Sequence, residues 1–345
     1  MGGQITSRDI AERAGVSQAT VSRALRNSPL VRPETRERIH RVARELNYFV
    51  NRNAAGLRTQ QSNTIALLLF DETGGERAEI NPFFLSMLSG VTRSASELGY
   101  DVLISLQQLT DDWHLRYEVS NRADGIIVLG YGDYVSYREK LQALAEANAR
   151  FVIWGPMVDG QPGASLCCDN IEGGRIATAH LTALGRQRIA FLGRISERSP
   201  EHQLRHQGYL VAHDAAGLSV EPKLRIACDS HPSFGYRATQ QLLASGHSFD
   251  AIFAVTDAIA VGAIQALQQS RIKIPEDVAV VGFDDLPMAS HVTPQLTTIR
   301  HAVQLAGELL VNNIVRLIEG GTVESEVLPT TLIVRQSCGG SPGTR

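Results

Sequence analysis

The chain has 345 residues, is 43% hydrophobic, 20% charged and 6% aromatic, and carries a formal net charge of −3. That length accommodates two or three domains, each large enough to bury a core. Its longest apolar run, Ile65 to Phe70, is too short to span a bilayer, its first residues show no apolar export segment, and four cysteines make no disulfide framework. The reading is a cytoplasmic protein without membrane association.

The net charge hides an asymmetry. Residues 1–60 hold 11 Arg, no Lys and 5 acidic residues, so they carry +6, and the remainder carries −9. A small basic segment joined to an acidic body suits an anionic partner for the first part only.

Taken in order, Thr6-Ser7-Arg8-Asp9 has the form of a capping box, and a short helix should stop at Gly15. Ser17 is a second N-cap and opens a helix over Gln18–Leu25. Val21, Ala24 and Leu25 share its inner face, whereas Gln18, Ala19, Ser22 and Arg23 share another. Pro33 starts a third helix, with Ile39, Val42, Ala43 and Leu46 inward. Two helices joined by a glycine turn, followed by a third, form a helix-turn-helix pattern.

The strings DIAERAGVSQATVSRAL, RPETRERIHRVARELNY and NRNAAGLR resemble the DNA-binding headpiece and hinge of the LacI/GalR family of transcriptional regulators. The resemblance implies that Gln18 and Ala19 read base edges, with Ser22 and Arg23 nearby. Glutamine suits adenine, alanine a thymine methyl, and arginine guanine. It places Thr6, Ser17, Thr20, Asn27 and Thr35 at phosphates. Asn51, Ala54 and Leu57 fall in a hinge helix that lies in the minor groove, with Leu57 wedging a base step. Val50 replaces a usual proline there, Arg32 replaces a usual small cap before Pro33, and Gly56 costs the hinge about 1 kcal/mol of helix propensity.

After Ser62 the pattern changes to short apolar runs alternating with amphipathic stretches. Ile65–Phe70, Val102–Leu106, Gly125–Leu129 and Phe151–Ile153 read as one series of strands, with helices over Phe83–Leu98, Asp111–Arg122 and Tyr137–Ala147. A second series takes Cys167, Ile189–Leu192, Leu224–Ala227, Ala251–Val255 and Val278–Gly282, with helices over Glu172–Leu184, His202–Ala216, Tyr236–Ala244 and Ala258–Gln269. Such alternation predicts two doubly wound parallel sheets with a ligand cleft between them. NPFF, HLTALGRQRIAFLG, Arg205-x-x-Gly208-Tyr209, Thr256-Asp257, IPEDVAVVGFDD and PQLTTIR resemble the same family's effector-binding core, of periplasmic-binding-protein type.

The expected organisation is a small all-α headpiece at 1–49, a hinge at 50–61, an α/β core at 62–335 and a flexible tail at 336–345. The core's first half would comprise 62–158 plus 300–318, and its second half 159–299 plus 322–335. The resemblance assigns effector contacts to Arg205, Asp284 and Thr256 in the second half, facing Phe84, Trp154 and residues near Asp71; Trp113 is a further candidate stacker. An arginine, a carboxylate and aromatic faces form a grip for a polyhydroxylated ring. Asp257 reads instead as a partner for backbone N–H groups at a helix start.

Catalytic signals are weak. Asp284 and Asp285 are adjacent and point apart, His202 and His206 lack a third metal ligand, and Cys167–Cys168 are neighbours on one strand. The leading expectation is a non-enzymatic, cofactor-free repressor, a homodimer on a pseudo-palindromic DNA operator, relieved by a small sugar or sugar derivative. The alternatives are an exported solute-binding protein, or a corepressed or activating regulator. A tail with no apolar heptads argues against a C-terminal bundle and therefore for dimers.

Overall fold

The computed structural model describes residues 5–25, 28–46, 48, 61–70, 80, 82–107, 117, 120, 122–130 and 134–340. The expectations for Asn27, Asn51, Ala54, Leu57, Val50, Gly56, Asp71, Trp113 and most of 111–122 lie outside those residues. The chain divides into two units, Met1–Ser62 and Asn63–Arg345.

The first unit contains α1 (Ser7–Ala14), α2 (Gln18–Leu25) and α3 (Pro33–Glu45). Asp9 accepts from the Thr6 N–H and hydroxyl at 2.7 and 2.8 Å, fixing the start of α1, and these bonds hold its carboxyl below the usual range. Gly15 ends α1 in the left-handed region, φ 64°, where a side chain would strain the backbone. Ile10, Val21, Ala24, Val31, Ile39, Val42 and Ala43 make one small core.

The second unit opens with β1 (Thr64–Phe70), α4 (Pro82–Glu97), β2 (Asp101–Gln107), β3 (Gly125–Leu129), α5 (Tyr134–Glu146), β4 (Phe151–Trp154) and β5 (Ala164–Cys168). Next come α6 (Asn170–Ala183), β6 (Ile189–Leu192), α7 (Pro200–Ala215), β7 (Arg225–Ile226), α8 (Pro232–Ala244), β8 (Ala251–Ala254), α9 (Asp257–Gln269) and β9 (Ala279–Asp284). β10 (Thr297–His301), α10 (Val303–Ile318), β11 (Glu326–Leu328) and β12 (Thr330–Ile333) complete it. One sheet has the order β11-β5-β4-β3-β1-β2 and the other β12-β10-β9-β8-β6-β7. Every strand pairing among the described residues is parallel except β10 with β12.

Three sequence expectations are corrected. Cys167 lies on β5 in the first sheet, so the first half extends to Cys168 and also takes β11. Thr297–His301 belong to the second sheet, so the return to the first half begins with α10, which packs on α4 and β3. The chain therefore crosses after β5, after β10 and after β11, and the Asp169 N–H donates to the Leu328 carbonyl at 2.9 Å where two crossings meet. Alternation of strand and helix reports a parallel sheet but not which sheet a strand joins.

The third correction is the tail. Ser337 and Cys338 are buried, and Ser337 bridges Val280 and Thr297 through its backbone carbonyl and hydroxyl. Residues 336–340 are thus docked on the second half.

Candidate functional site

On the headpiece, Gln18, Ala19 and Arg23 are exposed on α2, and Ser22 is half-buried. The Gln18 Nε2 donates to the Ser7 hydroxyl at 2.8 Å, a tether with no signal in the spacing of the motif. Ser17 caps α2: its oxygen accepts from the Thr20 N–H at 3.2 Å, and the two hydroxyls lie 2.8 Å apart. One of them must donate to the other, which leaves the second hydroxyl proton for a phosphate. Thr6 is exposed but its hydroxyl already donates to Asp9, so it serves the capping box first. Thr35 is half-buried on α3.

In the core, two close helix contacts place the cleft arginine. A Cβ on Gly174 of α6 would lie 2.1 Å from the Arg205 carbonyl, and one on Gly208 of α7 2.0 Å from the Ile171 carbonyl. Absence of side chains there lets α6 and α7 touch backbone to backbone. Arg205 then points inward, 1% exposed. Its Nε donates to Asn170 Oδ1 at 2.9 Å, its Nη1 donates to the Val255 carbonyl and lies 3.7 Å from Asp284 Oδ1, and its guanidinium stacks 3.7 Å above Phe283.

Asp284 ends β9 at φ 120° and also meets His301, whose Nε2 lies 3.2 Å from Oδ1. Asp285, at φ 55°, turns the other way and is clamped by Arg300 and Arg335. His301 is fully buried. Burial opposes its charge, but Cys168 and the Asp284 carboxylate outweigh that and raise its pKa to about 9. Asp257 is shifted well upward by burial and then by Asp284. It accepts from the Leu286 N–H at 2.7 Å and from the Thr298 hydroxyl, so it satisfies backbone across the sheet, and the cap of α9 is Thr256, which accepts from the Ile259 N–H.

A cavity of about 10 Å³ separates the halves, lined by Trp154, Cys167, Cys168, Asn170, Glu201, Arg205 and His301 among others. That holds about one water, so these halves are closed on each other. The Tyr134 N–H donates across the cleft to the Arg198 carbonyl at 3.0 Å. Of the sequence candidates, Arg205 and Trp154 line it, and Asp284 meets the lining residues Arg205 and His301 at 3.7 and 3.2 Å. Thr256 is occupied as a cap. Phe84 is buried 5.6 Å from Phe83, and it is Phe83 that meets Trp154 and His301, at 5.7 and 4.9 Å. Glu201 and His301 were not legible as site residues.

An α2 helix bearing exposed polar side chains, in series with a two-lobed core that closes on a small cavity, defines a ligand-responsive DNA-binding regulator. The model for bacterial regulatory proteins of the lacI family matches residues 6–51, and that for the periplasmic binding protein-like domain matches 178–338. The ribose operon repressor of Escherichia coli is 31% identical over 335 residues, covering 96% of this chain and 98% of that one. The regulator CelR of Thermobifida fusca is 34% identical, with 95% and 96% covered. The lac repressor dimer bound to operator and the anti-inducer ONPF superposes with a TM-score of 0.84 at 27% identity, covering 97% of this chain and 99% of that chain. A CelR–cellobiose complex gives 0.72 at 32%, with 96% and 99% covered. The chain belongs to the LacI family of transcriptional regulators.

Proposed function

We propose that the chain is a cytoplasmic, non-enzymatic repressor that binds a two-fold DNA operator as a homodimer and releases it when a small sugar enters the core. The observation that carries this reading is the convergence of Arg205 and Trp154 on a closed interlobe cavity, with Asp284 paired to Arg205, in a chain whose α2 presents Gln18, Ala19 and Arg23 outward. Relatives named for ribose and solved with cellobiose support the effector class.

In this reading Gln18, Ala19, Ser22 and Arg23 discriminate bases, and Ser17, Thr20 and Thr35 fix register on phosphates, with Thr6 and Asn27 beside them. Asn51, Ala54 and Leu57 enter the minor groove at the operator centre, where a flexible CG step is expected. Arg205, Asp284, Trp154, Phe84 and Thr256 form or support the effector wall. A sugar lowers operator affinity only as far as it prefers the non-DNA state, so the switch is the differential closure of the two halves.

The test is selection of operators from a random DNA pool, followed by affinity measurements with and without saturating sugars. Half-sites about one helical turn apart are expected, with preference altered by replacing Gln18 and Ala19 together. Selected sites lacking two-fold symmetry would overturn the dimeric reading, and operator affinity indifferent to every sugar would overturn the effector reading.

A further inference from the structure

His301 is the last residue of β10, next to the crossing into α10, and three of its surroundings are already fixed. Its Nε2 faces Asp284 Oδ1 at 3.2 Å. Its ring lies 4.9 Å from Phe83 of α4, 6.3 Å from Trp154 of β4 and 5.5 Å, edge to face, from Phe283 of β9. Cys168 of β5 is a weak side-chain hydrogen-bond partner of the ring that favours its charged form, and both residues line the cavity with Arg205 of α7. The remaining nitrogen, Nδ1, is fully buried and meets no partner of ordinary hydrogen-bond geometry among the described residues, the thiol of Cys168 being at most a weak one. A buried, unmatched imidazole nitrogen costs free energy in the unliganded protein and rewards whatever supplies its partner.

We propose that His301 is an effector-contacting residue that sets specificity, its Nδ1–H donating to one hydroxyl oxygen of an uncharged sugar. This deepens the reading of a sugar-responsive repressor and rests on it. Donation requires a proton on Nδ1 while Nε2 also donates to Asp284, which is the imidazolium; the raised pKa of about 9 keeps that form at neutral pH. The neutral class follows from the charges around the cavity. Arg205 and His301 face two carboxylates, Asp284 beside both and Glu201 in the wall, and Arg205 is the one Lys or Arg among the described lining residues. A phosphate or carboxylate would bring a charge into a wall whose cations already have acidic partners. A hydroxyl asks for none, and a site built around a hydrogen bond rejects the analogue lacking that hydroxyl.

The experiment uses the full chain and titration calorimetry. The probes are D-ribose, D-glucose, D-galactose, cellobiose and maltose, with D-ribose 5-phosphate, D-glucose 6-phosphate, D-glucuronate and D-galacturonate as charged counterparts. A neutral sugar is expected to bind at least tenfold more tightly than its charged counterpart. His301→Phe, which keeps the ring stack, should lose at least tenfold in affinity for it, and His301→Gln, which keeps an N–H donor, should recover part. The discriminating readout is a set of monodeoxy analogues of the bound sugar. One of them should be weakened at least tenfold on the natural chain and not further weakened by His301→Phe, because the partner oxygen is already gone. A structural role for His301 would weaken all analogues alike and so overturns the proposal, as does wild-type affinity in both variants. Tighter binding of a charged counterpart overturns the neutral class while leaving the sugar reading intact. Failure of every probe, neutral and charged, overturns both.

Discussion

Arg205 Nη1 lies 3.7 Å from Asp284 Oδ1, and both side chains are buried, at 1% and 6% exposure. The pair is therefore part of the second half's core as well as of its cleft. Removing one member leaves the other charge in a site of low polarity, which costs about 3–5 kcal/mol. Arg205→Ala should lose effector binding and also lower the unfolding midpoint in urea, since Val255 and Asn170 lose their donor too. Arg205→Lys keeps the charge without the planar fork, and should fall between the two. An Arg205→Ala protein as stable as the natural chain would show that Asp284 is satisfied by His301 alone.

Buried histidines should give the protein a stability optimum in pH. Burial lowers His202 to about 3 and His206 to about 4, so each loses stability as pH falls from about 6.5 toward those values. His301 is raised to about 9, so its contribution is complete below about 6.5 and is lost as pH rises to about 9. Asp257, shifted upward from 3.8, adds a loss with rising pH, opposed below 6.5 by the two lowered histidines. Each group contributes a slope of up to about 1.4 kcal/mol per pH unit within its window. Urea unfolding at pH 5, 6.5, 8 and 9 should peak near 6.5, and His301→Gln should flatten the alkaline side. Stability that climbs steadily from 6.5 to 9 would contradict the assignment of His301.

The contact of α6 with α7 gives a steric prediction. Gly174→Ala and Gly208→Ala each drive a methyl into a carbonyl oxygen of the facing helix, at 2.1 and 2.0 Å, so the helices must part. Overpacking of this kind costs about 1–3 kcal/mol, and here it also withdraws Arg205 from Asp284. Both variants should show lower melting temperatures and weaker effector binding together. Loss of stability with effector affinity retained would mean that Arg205 tolerates a displaced α7.

Gln336–Gly340 make a strap on the second half. Ser337 satisfies the Val280 N–H and carbonyl and the Thr297 N–H, all at buried positions. Ending the chain at Arg335 should cost at least about 3 kcal/mol, on the order of 1 kcal/mol for each of these three bonds, with the bonds of Gln336 and Cys338 lost besides, whereas an end at Gly340 keeps all of them. The shorter truncation is therefore the one to use in light scattering, where a dimer is expected; a stable tetramer would overturn that assembly.

Local chemistry carried much of this fold into view. The helix over Gln18–Leu25 follows from a serine cap after a glycine stop, and α3 from a proline at its first position. β10 was hidden because its buried residues include Thr297 and Thr298, whose hydroxyls are matched by Cys338 and Asp257 far along the chain. β11 and β12 are short and partly exposed, so they lack an apolar run. Arg205 and Asp284 stood out by their motifs. His301 did not, because one histidine after a strand has no spacing to mark it, and its role depends on side chains from both halves.

The tether between Ser7 and Gln18 leads to a prediction about base reading. With the Ser7 hydroxyl accepting one Nε2 proton at 2.8 Å, Gln18 keeps its second N–H and its carbonyl oxygen, the donor and acceptor that an adenine edge requires. The tether fixes the plane of the amide before DNA arrives and reduces the ordering cost of the contact. Gln18→Ala should cost about 1–3 kcal/mol at its base pair, and Ser7→Ala a smaller amount, on the order of 1 kcal/mol, at that same pair. Neither variant removes a cation from a phosphate, so the dependence of affinity on salt should keep its slope. Competition binding with operators varied one base pair at a time, at two salt concentrations, separates the outcomes. If Ser7→Ala weakens all operators equally, or changes the salt slope, Ser7 acts on the backbone of the DNA and not through Gln18.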